Sequence, residues 1–528
     1  MSGMRLCYEI RVSGRKPIRG ERELLEGENR LVLPLPEGKL ETVTAQIPVA
    51  LGETEKIFMN GYQAWTYSPE YGRLDSTKGV GPLPELLIRG LGIRSYGDYD
   101  FVDYPQRRGV THGESWCYFR EGRRFRLFAS LDERPGYTLF SYDVASGLLT
   151  IQRDCGGLGC GGEFHALDLY YGAGDESTVF DGWFHALGVK PRTGKRLAGY
   201  TSWYNRYQDI SEKSIENDLL GCVGRLSPGD LFQIDDGWES AVGDWLEADG
   251  RKFPKGMKAA ADEIHEKGFL AGLWLAPFVA QRSSRLFREH PDWFLQRNGR
   301  PWLAGIGWGG FYALDMDKPQ VIEYLERVFS RVLEDWDYDL VKLDFLYAAA
   351  PFGSDTESRA GRMIRAMELL RRLCGEKLLL GCGVPLMPAF GLADYCRIGC
   401  DVSLDWDNTA LMRRTNRERP STRQAIRDTI FRRQLNGRAF LSDPDVFFLR
   451  EENLKLNEKQ KRTLAQVNAL FGGVLLHSDD MARWSAEAED FYQKLLRLRD
   501  AEDVRVHSCY GPAVSYVLDG REEILEID

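Results

Sequence analysis

Between residues 191 and 481, eight short apolar runs recur, each separated from the next by a stretch of helical periodicity. They end in "YTSW", "FQIDD", "GLWLA", "VKLDF", "LLLGCG", "RIGCD", "FLSDPD" and "VLLHSDD". Strands that alternate with amphipathic helices build a parallel sheet, because a parallel neighbour is reached only through a long crossover. Eight such units over roughly 290 residues predict a closed (β/α)8 barrel, whose usual length is about 250 residues before insertions. An open doubly wound sheet is the alternative. The intervening helices are legible as faces: in "DKPQVIEYLERVFSRVLEDWD", Val321, Leu325, Val328, Val332 and Trp336 fall on one side, with Pro319 suited to the first turn. "SRAGRMIRAMELLRRLCG" behaves alike and stops at Gly375.

The flanks read differently. Residues 1–190 carry short alternating runs such as "RLVLPL", "TVTAQIPVAL", "WCYFRE" and "FRLFASL" between turn residues, which predicts an all-β domain, a large sandwich. The segment "GLGCGG" fits a dinucleotide pattern at Gly157, Gly159 and Gly162, but the strand-like "EFHALDLYYG" follows it where a helix would be needed. Residues 482–528 hold one helix and then "VRVHSCY", "AVSYVLD" and "EILEID", a small C-terminal β element. The expected fold is therefore a multidomain α/β chain: an N-terminal β-sandwich over 1–190, a central (β/α)8 TIM barrel over 191–481, and the β element over 482–528.

Composition narrows the function. A net charge of −10 with both signs interspersed argues against nucleic acid or an anionic membrane as partner. The longest apolar run, "FLAGLWLAPFVA", is too short to span a bilayer, and the first residues lack the apolar core of a signal peptide, so the expected setting is cytoplasmic. The ten cysteines are then expected to be reduced. Neither Cys155/Cys160 nor Cys396/Cys400 has the spacing of a tetrahedral zinc site, so no metal and no cofactor is expected.

A barrel does its chemistry at the C-terminal ends of its strands, and here those ends are crowded with acids. Asp235 and Asp236 end the second strand, Asp344 the fourth, Asp401 the sixth, Asp443 and Asp445 the seventh, and Asp479 and Asp480 follow the eighth. For the last four, turn formation and helix capping are the simpler account. "VKLDF" is less ordinary, because a lysine and an aspartate two residues apart in an apolar strand share one side, with Val341, Leu343 and Phe345 on the other. As a structural salt bridge the pair would bring little net stability. As chemistry, the ammonium keeps Asp344 ionised and donates to a hydroxyl-rich ligand, and an ionised aspartate is what covalent attack on a sugar carbon requires. Glycoside hydrolysis needs a second carboxyl, for which Asp401 is the candidate, with Asp405 and Asp407 competing.

At these residues the chain resembles the α-galactosidases of glycoside hydrolase family 36, in clan D. The resemblance rests on "SWYNRY", "QIDDGWE", "FPKGMKAAADEIHEKGFLAGLWLAPF", "HPDWF", "VKLDFLYA", "GCGVPL", "RIGCD" and "LSDPD", in that order. It implies that Asp344 is the nucleophile and Asp401 the acid/base of a retaining, exo-acting α-galactosidase on small substrates of the melibiose or raffinose type. It implies that Asp235 and Asp236 hold the C4 and C6 hydroxyls of galactose and that Lys342 binds near C3 and C4. Arg397 and Cys382 would border the sugar near C2. Trp203, Tyr204 and Trp274 would wall the pocket, and Trp65, in "NGYQAWTYS", would be lent to it by the N-terminal domain. The segment "GCGVPLMPAFG" departs from the glycine-rich form of many members, which bears on Cys382 and the C2 contacts. An α-N-acetylgalactosaminidase or a transglycosylating relative would use the same two acids, and a non-catalytic sugar-binding scaffold is the reading from another class. The short C-terminal element is either a reduced sandwich completed by a homo-oligomer contact or a smaller version of one.

Overall fold

In the computed structural model the described residues are 4–81, 88, 92–105, 107–507 and 512–527. Cys509, and with it the end of "VRVHSCY", lies outside them.

All eight expected parallel strands form. We label them β1 (Leu197–Thr201), β2 (Leu231–Ile234), β3 (Leu270–Leu275), β4 (Leu340–Leu343), β5 (Leu378–Gly381), β6 (Tyr395–Arg397), β7 (Leu441–Asp443, resuming at Val446–Phe447) and β8 (Val474–His477). Each pairs in parallel with its neighbour, and β8 pairs with β1 through Leu197 and Val474. The ring closes through a jog: Leu441–Asp443 pairs with β6, whereas Val446–Phe447 pairs with β8. Pro444, which has no N–H to give, and Asp445, in the left-handed region at φ 72°, make the step between the two halves. The barrel alternative, not the open sheet, is the observed topology.

The helices pack the faces their periodicity assigns. Pro319–Ser330 continues as a π turn over Arg331–Asp335, and Val321, Leu325, Val328 and Val332 are fully buried. Arg359–Cys374 starts on a Ser358 cap and stops at Gly375.

Ahead of the barrel lies an antiparallel sheet of eleven strands. Its organising element is a 22-residue strand, Gly27–Pro48, whose first part pairs with the 16-residue strand Gly159–Gly174 and whose second part pairs with Met4–Val12 and Leu148–Arg153. One strand thus belongs to two halves that share an apolar core containing Ile10, Val43, Ile47, Phe119, Phe128 and Phe140. "GLGCGG" opens the Gly159–Gly174 strand, as the absence of a following helix implied. Beyond β8 come the helix Ala486–Leu498 and a three-stranded antiparallel sheet over Glu502–Val506, Ala513–Leu518 and Arg521–Glu526.

Candidate active site

The strand ends open into a cavity of about 330 Å³. Asp235, Asp236, Lys342, Asp344, Arg397, Asp401, Trp203, Tyr204, Trp274 and Trp65 all line it, so ten of the eleven expected site residues meet in one place. Cys382 does not. Its thiol is 1% exposed, packed against the charges of Asp344, Arg397 and Lys342, and burial, with Asp344 next, pushes its pKa well up.

Asp344 follows the last residue of β4. Its Oδ2 accepts from Trp274 Nε1 at 3.2 Å and its Oδ1 from the Phe345 backbone N–H at 2.8 Å, leaving an acceptor-only carboxylate held by two N–H groups. Phe345 has φ 54°, a strained value for a bulky residue, and this turn carries its ring into the cavity wall beside Trp65 and Trp308. The expected alternation, with Phe345 facing away from Asp344, fails for that reason.

Lys342 also departs from expectation. Its ammonium pairs with Asp235 Oδ2 at 2.8 Å, across the intervening strand β3, and not with Asp344. Burial disfavours the charge, yet the Asp235 carboxylate overcomes it and holds the lysine above its ordinary pKa. Asp235 accepts further from Gln233 Nε2 at 2.7 Å. Asp236 Oδ2 accepts from Trp308 Nε1 at 2.9 Å and Gln208 Nε2 at 2.8 Å. Its Oδ1 is buried without a hydrogen-bond partner, and the buried carboxyl of Glu239 acts on it from close by. Burial and then the Asp236 charge hold Glu239 far above the usual carboxylate range, which favours a proton on Glu239 over a second charge beside Asp236.

Asp401 stands four residues beyond Arg397. The guanidinium donates to Asp401 Oδ1 at 2.9 Å, to Asp443 Oδ2 at 3.1 Å and to Asp445 Oδ1 at 2.9 Å. Asp443 and Asp445 are therefore buried braces for Arg397, aimed at it by the jog in β7; Asp443 also makes the turn its setting implied, its Oδ1 accepting from the Asp445 N–H at 2.9 Å. Asp445 also accepts from Tyr204 Oη at 2.7 Å, which fixes that wall. Asp401 itself is 41% exposed, its free face opening into the cavity and the rest of it enclosed by protein. That burial, opposed by Arg397 and reinforced by Asp445 and Asp344, pushes its pKa up to about 7. The competing acids lie elsewhere in ion pairs, Asp405 with Lys455 and Asp407 with Arg419. Asp480 caps Met481–Arg483, as its setting implied.

Sequence reasoning missed Tyr96, Ile306, Trp308, Asn416 and Glu418, which complete the cavity wall. Trp308 had a signal, since "GIGWGG" lets a chain turn sharply around one aromatic, and its φ is 52°. Glu418 had none; it accepts from Thr66 and Tyr99, residues more than 300 positions away.

A closed parallel barrel with two strand-end aspartates in one aromatic, hydrogen-bonding cavity has the parts that glycoside cleavage requires. Residues 197–366 match the Melibiase family. The solved α-galactosidase TtGalA from Thermus thermophilus, in complex with p-nitrophenyl α-D-galactopyranoside, is 29% identical, with a TM-score of 0.73 over 94% of this chain and 98% of that one. The α-galactosidase AgaA of Geobacillus stearothermophilus is 31% identical over 160 residues, a stretch covering 29% of this chain and 21% of the relative's length. The solved family 36 structure of AgaA, at 15% identity and a TM-score of 0.60, shares the fold over 98% of this chain and 80% of that one. Residues 197–366 thus carry the likeness to the Melibiase family, the chain spans about a fifth of the length of the curated relative AgaA, and the proteins it resembles are α-galactosidases.

Proposed function

We propose that the protein is a retaining, exo-acting α-galactosidase that removes terminal α-linked galactose from small galactosides of the melibiose and raffinose type. The observation that carries this reading is the unlike treatment of two carboxyls in one cavity. Asp344 is held as an acceptor by two N–H groups, while Asp401 is pushed up to about 7. That is the division between nucleophile and proton donor that double displacement needs. In the first step Asp344 forms a bond to the anomeric carbon as Asp401 gives its proton to the departing oxygen. In the second, Asp401 takes a proton from water, the water oxygen bonds to the anomeric carbon, and the ester to Asp344 breaks.

Sugar identity would rest on the opposite wall. Asp235, paired with Lys342, and Asp236 offer acceptors for an axial C4 hydroxyl and the C6 hydroxyl. An epimer that cannot reach them leaves buried carboxylates short of a donor, a penalty that discriminates strongly. A cavity of about 330 Å³, small for a ligand site, suits one terminal sugar and little more. A cytoplasmic setting agrees with the nine described cysteines being free thiols.

The test is hydrolysis by the purified protein of p-nitrophenyl α-galactoside beside the α-N-acetylgalactosaminide and the α-glucoside, with the product anomer followed by NMR. Preference for the galactoside with release of α-galactose is the expected result. Preference for the acetamido sugar would keep the mechanism and overturn the C2 side; release of the β anomer would overturn retention.

A further inference from the structure

Arg432 is fully buried at the end of the helix Thr422–Phe431, and its guanidinium makes six hydrogen bonds. Five go to the 60–68 loop of the N-terminal sheet: Asn60 Oδ1 at 3.0 Å, Gln63 O at 3.3 Å, Ala64 O at 2.7 Å, Thr66 O at 3.0 Å and Ser68 Oγ at 2.8 Å. These acceptors surround Trp65, the tryptophan that enters the cavity. The sixth goes to Ile398 O at 2.7 Å, between Arg397 and Asp401. One turn earlier on the same helix, Asp428 Oδ1 accepts from Ser68 N at 2.7 Å. Asp428 also packs on Gly399, where a Cβ would come within 3.2 Å of its own. Burying a guanidinium is costly, and apolar packing would join two layers at less expense. A planar fork, however, can fix several carbonyls in one geometry, which apolar side chains cannot.

We propose that Arg432 is a positioning residue that ties the Trp65 wall to the segment presenting Asp401, so that the cavity wall and the proton donor are aligned by one side chain. The inference rests on the reading of Asp401 as the acid/base. It concerns the mounting of the proton donor; the sugar-gripping wall of Asp235, Asp236 and Lys342 makes no bond to Arg432.

The experiment compares two substrates. Melibiose releases glucose, whose departing oxygen needs Asp401's proton and which meets the cavity mouth; α-galactosyl fluoride releases fluoride and needs neither. In Arg432→Lys, kcat/KM for melibiose is expected to fall about 100-fold, the cost of a misplaced catalytic group, while that for the fluoride falls only a few-fold. Asn60→Ala and Ser68→Ala each remove one acceptor on the loop side and are expected to shift the same ratio in the same direction by a few-fold, so they carry the test if Arg432→Lys does not fold. Folded variants that lose both substrates equally, or neither, would reduce Arg432 to a structural tie and overturn the inference alone. A wild type inert on both substrates would overturn the functional reading and the inference with it.

Discussion

At the scale of single residues, the surroundings of Asp401 set a pH dependence with a definite sign. In the proposed mechanism the first step needs its proton, so kcat/KM for a galactoside with a poor leaving group should fall as pH rises through about 7. In Asp401→Asn that descending limb should vanish along with most of the turnover. Stability moves the same way. A carboxyl whose folded pKa is raised binds a proton that the unfolded chain has already lost, so its contribution is complete below the ordinary value of 3.8 and is lost as pH rises through about 7. Asn imitates the neutral acid, and Asp401→Asn should therefore melt higher than wild type at pH 8 and alike at pH 3, by calorimetry. Glu239 admits a separate test. Glu239→Gln keeps an N–H donor for Asp236 and should alter KM only slightly; Glu239→Ala strips it and should raise KM roughly 10-fold, the cost of an unpaired buried acceptor. In wild type, KM should climb at alkaline pH as the Glu239 proton is lost, a rise absent from the Gln variant. A KM identical in all three proteins would show that Asp236 does not bear on substrate.

At the scale of elements, Gly383 deserves its glycine twice. Its φ is 58°, and an added Cβ would stand 2.9 Å from the Trp65 ring and 3.1 Å from Phe345 N. Gly383→Ala should cost about 1–2 kcal/mol from the left-handed backbone, and should raise KM by displacing Trp65. Unchanged KM with lowered stability would limit the glycine to a backbone role. The same loop shows what a sequence carries. The eight strands were legible because each is a short apolar run, most of them ending in polar residues, and the acids at those ends followed from the fold. The partner of Lys342 was not, since it sits on β2 with β3 between, and pairing across a neighbour leaves no local pattern. The orientation of Phe345 was hidden because a non-glycine residue at positive φ breaks the alternation that any reading of strands relies on. The bracing of Arg397 by Asp443 and Asp445 was hidden because the jog that aims them is a property of ring closure.

At the scale of the whole molecule, the N-terminal sheet and the barrel are joined by charged and hydrogen-bonding groups taken out of water. Besides Arg432, Arg359 makes a bidentate pair with Asp154 at 2.7 and 2.8 Å, and Glu418 on the barrel side accepts from Thr66 and Tyr99. Separating the layers would strand these groups, so both should unfold in one transition, with calorimetric and tryptophan-fluorescence midpoints coinciding. Two resolved transitions would mean that the layers are independently stable.

The jog in β7 also orders events in time. Asp344, Asp235, Asp236 and Lys342 all belong to the first four strands and can assemble as those strands leave the ribosome. Arg397 gains its braces only when Asp443 and Asp445 arrive, and those residues lie at the seam where the ring shuts. The residues proposed to grip the sugar thus precede in the chain the braces of the proposed proton donor, and those braces are in place only when the ring is closed.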